Sequence, residues 1–169
     1  GRLVRAATRG DGMVGDDITP NVRTIAGVPE RLTLDEPLPM FEVRGEIFFT
    51  TAGFEQVNQQ MAAEGKQVFA NPRNSASGQL RQKDPKVTAS RPLQMRCHSF
   101  GLAEGVRFAS HSEFLAYCER AGLPVAEETT RVSTLEEVQA FIAHWAEHRH
   151  DLEYEIDGVV VKVDRTGQQ

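Results

Sequence analysis

The sequence predicts an α+β domain, and three observations carry that expectation. Runs of alternating or valine-rich residues at Glu42–Phe49, Leu93–Leu102 and Glu155–Val163 have the period and composition of strands. Between them, apolar residues at helical spacing and two capping-box patterns mark helices. With 169 residues, 40% of them hydrophobic and 25% charged, the chain can build one domain with a real core, and no second domain is expected.

Bulk properties exclude several function classes. The formal net charge of −5 means that any contact with nucleic acid must rest on a local basic patch. Cys97 and Cys118 are far apart with no C-x-x-C, so neither a zinc site nor a disulfide framework is indicated. No apolar run approaches the ~20 residues that span a membrane, and no signal peptide opens the chain. A cytoplasmic location with no membrane partner is expected. The chain lacks an initiator methionine and opens in what reads as mid-domain, as a fragment would.

In chain order, Arg2–Thr8 alternates loosely and suggests a strand. Arg9-Gly-Asp-Gly12 breaks it, and a loop rich in glycine and aspartate continues to Pro20. Such a loop is compatible with plain turn chemistry or with phosphate binding. Asn21–Ile25 and Val28-Pro29 lead through a proline-bearing connection to Glu42–Phe49. In that strand Glu42, Arg44 and Glu46 share one face, and Val43, Gly45, Ile47 and Phe49 the other. Gly45 would let a ligand or another backbone approach closely. Phe54, Val57 and Met61 fall at helical spacing, with Gly65 as the stop.

The run from Phe69 to Arg81 is the least ordinary. Pro72 suits the first turn of a helix and Asn71 its cap. Arg73 and Arg81, eight residues apart, fall about 80° from each other around a helix and can flank one stripe. Ser75, Ala76, Ser77 and Gly78 between them are small. Guanidinium groups beside small polar residues suit phosphate oxygens, and Lys83, Lys86 and Arg91 extend the basic patch.

Leu93–Leu102 carries Cys97, His98 and Phe100. Ser110-x-x-Glu113 opens a helix that carries Phe114, Leu115 and Cys118 and stops near Gly122. Leu123–Val132 can form a strand. Ser133-x-x-Glu136 opens a second helix with Leu135, Val138, Phe141, Ile142 and Trp145 as its apolar face. His144 and His148 stand at i, i+4, with His150 beyond, but no further ligand is evident for a metal.

Glu155–Val163 reads E-I-D-G-V-V-V-K-V, and its valines favour a buried strand. Alternation sets Val160 and Lys162 on one face and Asp157 on the other. A lysine there must meet an anion or snorkel to water, and this stretch alone leaves both open.

Six runs in series carry a resemblance: Ala7-Thr-Arg-Gly-Asp-Gly12, Asn21-Val-Arg-Thr-Ile25, Val43-Arg-Gly-Glu46, Phe69-Ala-Asn-Pro-Arg-Asn74, Leu80-Arg-Gln82 and Glu155–Val163. V-R-G-E and I-D-G-V-V-V-K resemble the third and fourth motifs of the covalent nucleotidyltransferases, the superfamily of DNA ligases and mRNA capping enzymes. All six together, in this order, resemble the adenylation domain of bacterial NAD-dependent DNA ligases over essentially the whole chain. The resemblance implies that residues 1–169 are part of one adenylation domain with an antiparallel-rich α+β nucleotidyltransferase fold, incomplete at both ends.

It also implies a chemistry. A lysine takes AMP from NAD, AMP passes to the 5′-phosphate of a nick in duplex DNA, and the 3′-hydroxyl displaces it. The resemblance places Arg9 and Glu46 at the bound nucleotide, with Glu46 at the ribose. It sets Val160 against adenine and Lys162 beside the phosphate and adenosine. Arg73, Arg81 and Arg149 match arginines that act at the AMP or nick phosphates. Asp157 matches an acidic residue associated with a divalent metal, magnesium or manganese. Strict alternation places it opposite Lys162, so a bulge at Gly158 or an indirect role is required.

Two departures stand out. His98 occupies the place where many relatives set a tyrosine against the adenine. The nucleophilic lysine of the family sits in K-x-D-G, which should precede Gly1; the nearest match here is Lys162-Val-Asp-Arg165. The lysine-rich fifth motif is expected beyond Gln169, and zinc only in other parts of the parent. The expectation is therefore a monomeric fragment of a ligase serving DNA replication and repair, unable by itself to form the lysine adduct. The competing reading is a non-catalytic nucleotide- or DNA-binding module that has lost the nucleophile.

Overall fold

The computed structural model describes residues 1–36 and 38–168; Pro37, in the connection before the first long strand, and Gln169 lie outside the described residues. The elements follow in the order α1 (Thr19–Val22), β1 (Met40–Phe49), α2 (Thr51–Ala63), α3 (Pro72–Leu80), α4 (Pro85–Ala89), β2 (Leu93–Glu104), α5 (His111–Arg120) and α6 (Leu135–His148). Short 3-10 turns occupy Arg149–Asp151 and Thr166–Gln168. The fold is mixed helix and strand, with β1 and β2 paired antiparallel.

The register of that pair shapes the site. Arg44 faces Ser99 and Gly45 faces Cys97, so one step along β1 is matched by two along β2. His98 is the extra residue, a β-bulge whose backbone is left outside the regular pairing. Gly45 is needed here, because a side-chain carbon on it would lie 2.7 Å from the Arg96 carbonyl oxygen. It is another backbone, then, that approaches Gly45.

The helices form largely for the local reasons the sequence contains. Asn71 caps α3 by accepting from the Asn74 N–H, with Pro72 in the first turn. Ser110 caps α5 through the Glu113 N–H, and Gly65 and Gly122 follow α2 and α5 with positive φ. At α6 the capping box is Thr134 with Glu137, one residue later than Ser133 and Glu136.

Two clusters make the core. Ile18, Val22, Ile25, Phe49, Val57, Ala76, Leu80 and Leu93 pack where α1, α2 and α3 meet the ends of the strands. Phe108, Phe114 and Cys118 form the second, against Phe41, Phe100 and Tyr117. Its rings meet at 4.9–6.4 Å between centroids, within the range of favourable aromatic packing.

Three expectations are corrected. Glu155–Val163 is not a buried strand: it runs as an irregular segment with Val160 80% exposed. Valines adopt a strand only where a ladder receives them. The outer edge of β2 is taken at Cys97, whose N–H donates to Pro124 O at 2.7 Å, and the His98 bulge interrupts the rest. Arg2–Thr8 and Leu123–Val132 form only isolated bridges, Arg2 with Arg31, Ala7 with Asp17, and Val125 with Cys97. The apolar face of α6 is partly covered: none of its residues is fully buried, Val138, Phe141 and Trp145 are half-buried, and Leu135 is 67% exposed.

Candidate functional site

The bulge at His98 opens a groove of about 1390 Å³ between β2, the start of α5 and the segment from Val160 to Gln168. His98, Val160 and Lys162, three of the residues singled out from the sequence, line it together. The Lys162 ammonium donates to the His98 carbonyl oxygen at 2.6 Å. That carbonyl is available because His98 is the unpaired residue of the bulge. The lysine thus meets a backbone acceptor, neither snorkelling freely nor pairing with a carboxylate.

Charge around the groove is arranged unevenly. Burial lowers the pKa of Lys162, and it lowers that of His98 too, with Lys162 adding to the effect and Glu46 opposing it. The His98 imidazole is therefore neutral at pH 7, and its Nδ1 lies 3.1 Å from the Ser99 hydroxyl. A neutral ring can stack on an apolar face without placing a second cation beside Lys162.

Glu46, Arg73 and Asp157 gather as a second group. Arg73 lies 3.8 Å from Glu46 and 3.4 Å from Asp157, joining β1, α3 and the 155–163 segment. All three side chains are well exposed, so these pairs contribute little to stability and leave the charges available to a ligand. Because the segment is irregular, Asp157 reaches Arg73 at a bend rather than through a bulge at Gly158.

Three other residues stay apart. Arg9 sits on the turn closed by Gly12 N–H to Arg9 O, Arg81 folds back on the Ser77 carbonyl, and Arg149 bonds the His150 ring. None of them lines the groove or pairs with Arg73. His144 and His148 stack at 4.3 Å between ring centroids, and among the described residues no cluster of three metal-ligating side chains occurs.

Sequence reasoning missed the residues that hold the groove in place. Arg96 donates to Glu153 at 2.7 Å and lies over the Phe48 ring, while Tyr154 packs on Phe48 and donates to Glu128. These contacts clamp the chain just ahead of Asp157. At the far end, Asp164 accepts from the Ser112 N–H and hydroxyl and pairs with Arg131 at 3.1 Å. Only the helix-start pattern at Ser110 hinted that the neighbouring positions mattered.

The groove, with an anchored lysine beside a neutral imidazole and apolar side chains, suits a mixed apolar and anionic ligand. Comparison with known proteins gives the class. The family model of the NAD-dependent DNA ligase adenylation domain matches residues 1–169. The chain belongs to that family. It is 58% identical over 173 aligned residues to a DNA ligase of Thermobifida fusca (strain YX), an alignment covering 100% of this chain and 23% of that relative. The chain thus spans about a quarter of the length of the curated relative it matches.

Proposed function

We propose that this chain is the nucleotide-holding portion of the adenylation domain of an NAD-dependent DNA ligase. In this reading residues 1–169 lie within one domain of nucleotidyltransferase fold, and the parent is a monomeric cytoplasmic enzyme of replication and repair. The observation that carries the reading is the convergence of His98, Val160 and Lys162 on one groove. The parent takes AMP from NAD onto a lysine, transfers it to the 5′-phosphate of a nick in duplex DNA, and seals the nick.

Within that cycle the chain binds and orients. Val160 and His98 hold the two faces of adenine, a stacking that needs area and no charge. Lys162, fixed by the His98 carbonyl, presents its remaining ammonium protons to adenosine and the phosphate. Glu46 takes the ribose hydroxyls, and Arg73 stands between it and Asp157 as a ready partner for phosphate oxygens. Arg9 closes over the nucleotide from its turn, while Arg81 and Arg149 serve the nick phosphates, which position DNA without reading its sequence.

Among the described residues, the chain's own side chains do not gather three ligands for a magnesium or manganese ion. Asp157 faces Arg73, and among the described residues no second and third ligand joins it. It can serve a divalent ion only as one donor beside phosphate oxygens and water.

K-x-D-G does not occur among the 169 residues, and in this reading the nucleophile lies elsewhere in the parent. Intact mass spectrometry after incubation with NAD and magnesium tests this. AMP is expected on the full-length parent and not on the 169-residue chain. An adduct on the short chain would put the nucleophile inside it, with Lys162 the first suspect. A folded parent that takes no AMP would favour the binding module.

A further inference from the structure

The groove has a wall that none of the residues discussed so far accounts for. His111, the first residue of α5, lines it with His98, Val160 and Lys162. Its place is fixed from several directions. The His111 N–H donates to Asp164 O at 2.7 Å, and Ser112 bonds the Asp164 carboxylate at 2.9 and 3.1 Å. The ring packs on Phe114 at 5.7 Å between centroids. The start of α5 is thereby tied to the residue two beyond Lys162. Yet the ring is only half-buried, and among the described residues neither of its nitrogens has a hydrogen-bond partner. A rigidly held imidazole on a groove, with both polar atoms unused, is built to meet a ligand.

The chemistry narrows which part of a ligand it meets. Burial and then Lys162 lower the pKa of His111, with Asp164 opposing, so the ring is neutral at pH 7. A neutral imidazole has one donor and one acceptor. A phosphate calls for cations, which Lys162 and Arg107 on the same groove already supply. The edge of adenine presents an amino donor beside a ring-nitrogen acceptor, and either nitrogen of the imidazole can complement it.

We propose that His111 is a specificity-determining residue of this groove, hydrogen-bonding the polar edge of the adenine base. The inference rests on the reading of the groove as a nucleotide site. It adds that the site tells adenine from bases lacking the amino donor.

The test uses the full-length parent with NAD and with nicotinamide purine dinucleotide, in which a hydrogen replaces the adenine amino group and leaves the imidazole no partner at that position in either tautomer. KM is measured for both in nick sealing. For the wild type, KM is expected to be about ten-fold or more lower for NAD, because a site that hydrogen-bonds a polar group rejects the analogue lacking it. H111F keeps the ring packing on Phe114 without polar atoms. It should raise KM for NAD about ten-fold, move KM for the analogue little, and bring the ratio near one. H111Q, which keeps a donor and an acceptor, should restore most of the discrimination.

A wild type that uses both dinucleotides equally overturns the proposal. So does an H111F whose KM rises equally for both, since that assigns His111 to packing alone. If one variant fails to fold, the wild-type ratio and the other variant still decide. A wild-type parent that takes no AMP from either dinucleotide fails the nucleotide reading itself, a result distinct from a lost preference.

Discussion

The helices α5 and α6 begin alike and end differently. Each opens on a hydroxyl cap with a glutamate three residues on, and each carries an apolar stripe. The box of α6 is the more complete, with reciprocal bonds between Thr134 and Glu137. Yet α5 buries Phe114 and Cys118 completely against β2 and Phe108, while on α6 Val138, Phe141 and Trp145 are only half-buried and Leu135 is exposed. Capping and stripe decide that a helix forms and which face is apolar. What covers that face is decided by neighbours the helix does not encode.

Substitutions can break or sharpen this contrast. The largest effect is expected at Phe114: Phe114→Ala should cost about 3–5 kcal/mol of unfolding free energy in urea titrations. Leu135→Ala at the exposed start of α6 should cost about 0.5 kcal/mol or less in the same assay. Equal losses would mean that Leu135 is covered after all. Next come the caps. Ser110→Ala should lower global stability by about 1 kcal/mol, because α5 is part of the second core cluster. Thr134→Ala should act locally, raising amide exchange in the first turns of α6 and leaving the urea midpoint nearly unmoved.

The smallest effect is confined to acid. The Ser112 N–H, and then its hydroxyl and Arg131, hold the Asp164 carboxyl below the usual carboxylate range. Its folded pKa is depressed, so its contribution is present above the unfolded value of about 4 and lost as pH falls through the lower folded value. Asp164→Asn should therefore lower the urea midpoint at pH 6.5, and the gap to the wild type should close as the pH is taken down toward 3. A gap of constant size would show that the charge of Asp164 plays no part in latching the 164–166 segment to α5.

The sequence was legible wherever structure is decided within a few residues. Asn71-Pro72, Ser110 with Glu113, and the alternation of Glu42–Phe49 needed only local hydrogen bonds and period. It misled where a distant partner decides. The valines of 159–163 promise a strand, but the sheet edge they would join is occupied and bulged. The site follows the same division. Arg73 was visible as a guanidinium beside small polar residues, Glu46 and Asp157 through family likeness, and the structure brings them together from three separate elements. His98, Val160 and Lys162 were visible through family likeness. His111 was not, because its neighbours read as an ordinary helix cap and nothing in the sequence shows that α5 starts beside Lys162.

The bond from Lys162 to the carbonyl of His98 has a consequence for how this groove can vary. A main-chain oxygen is supplied by whichever amino acid stands at position 98, provided the bulge persists. The side chain there can be exchanged for another flat ring without unseating the lysine. The residue that cannot drift is Gly45 across the strand pair, where any side chain would strike the Arg96 backbone and force the bulge to reorganise. The anchor of the charged residue is thus heritable through a glycine on a different strand, and position 98 is left open to evolutionary substitution.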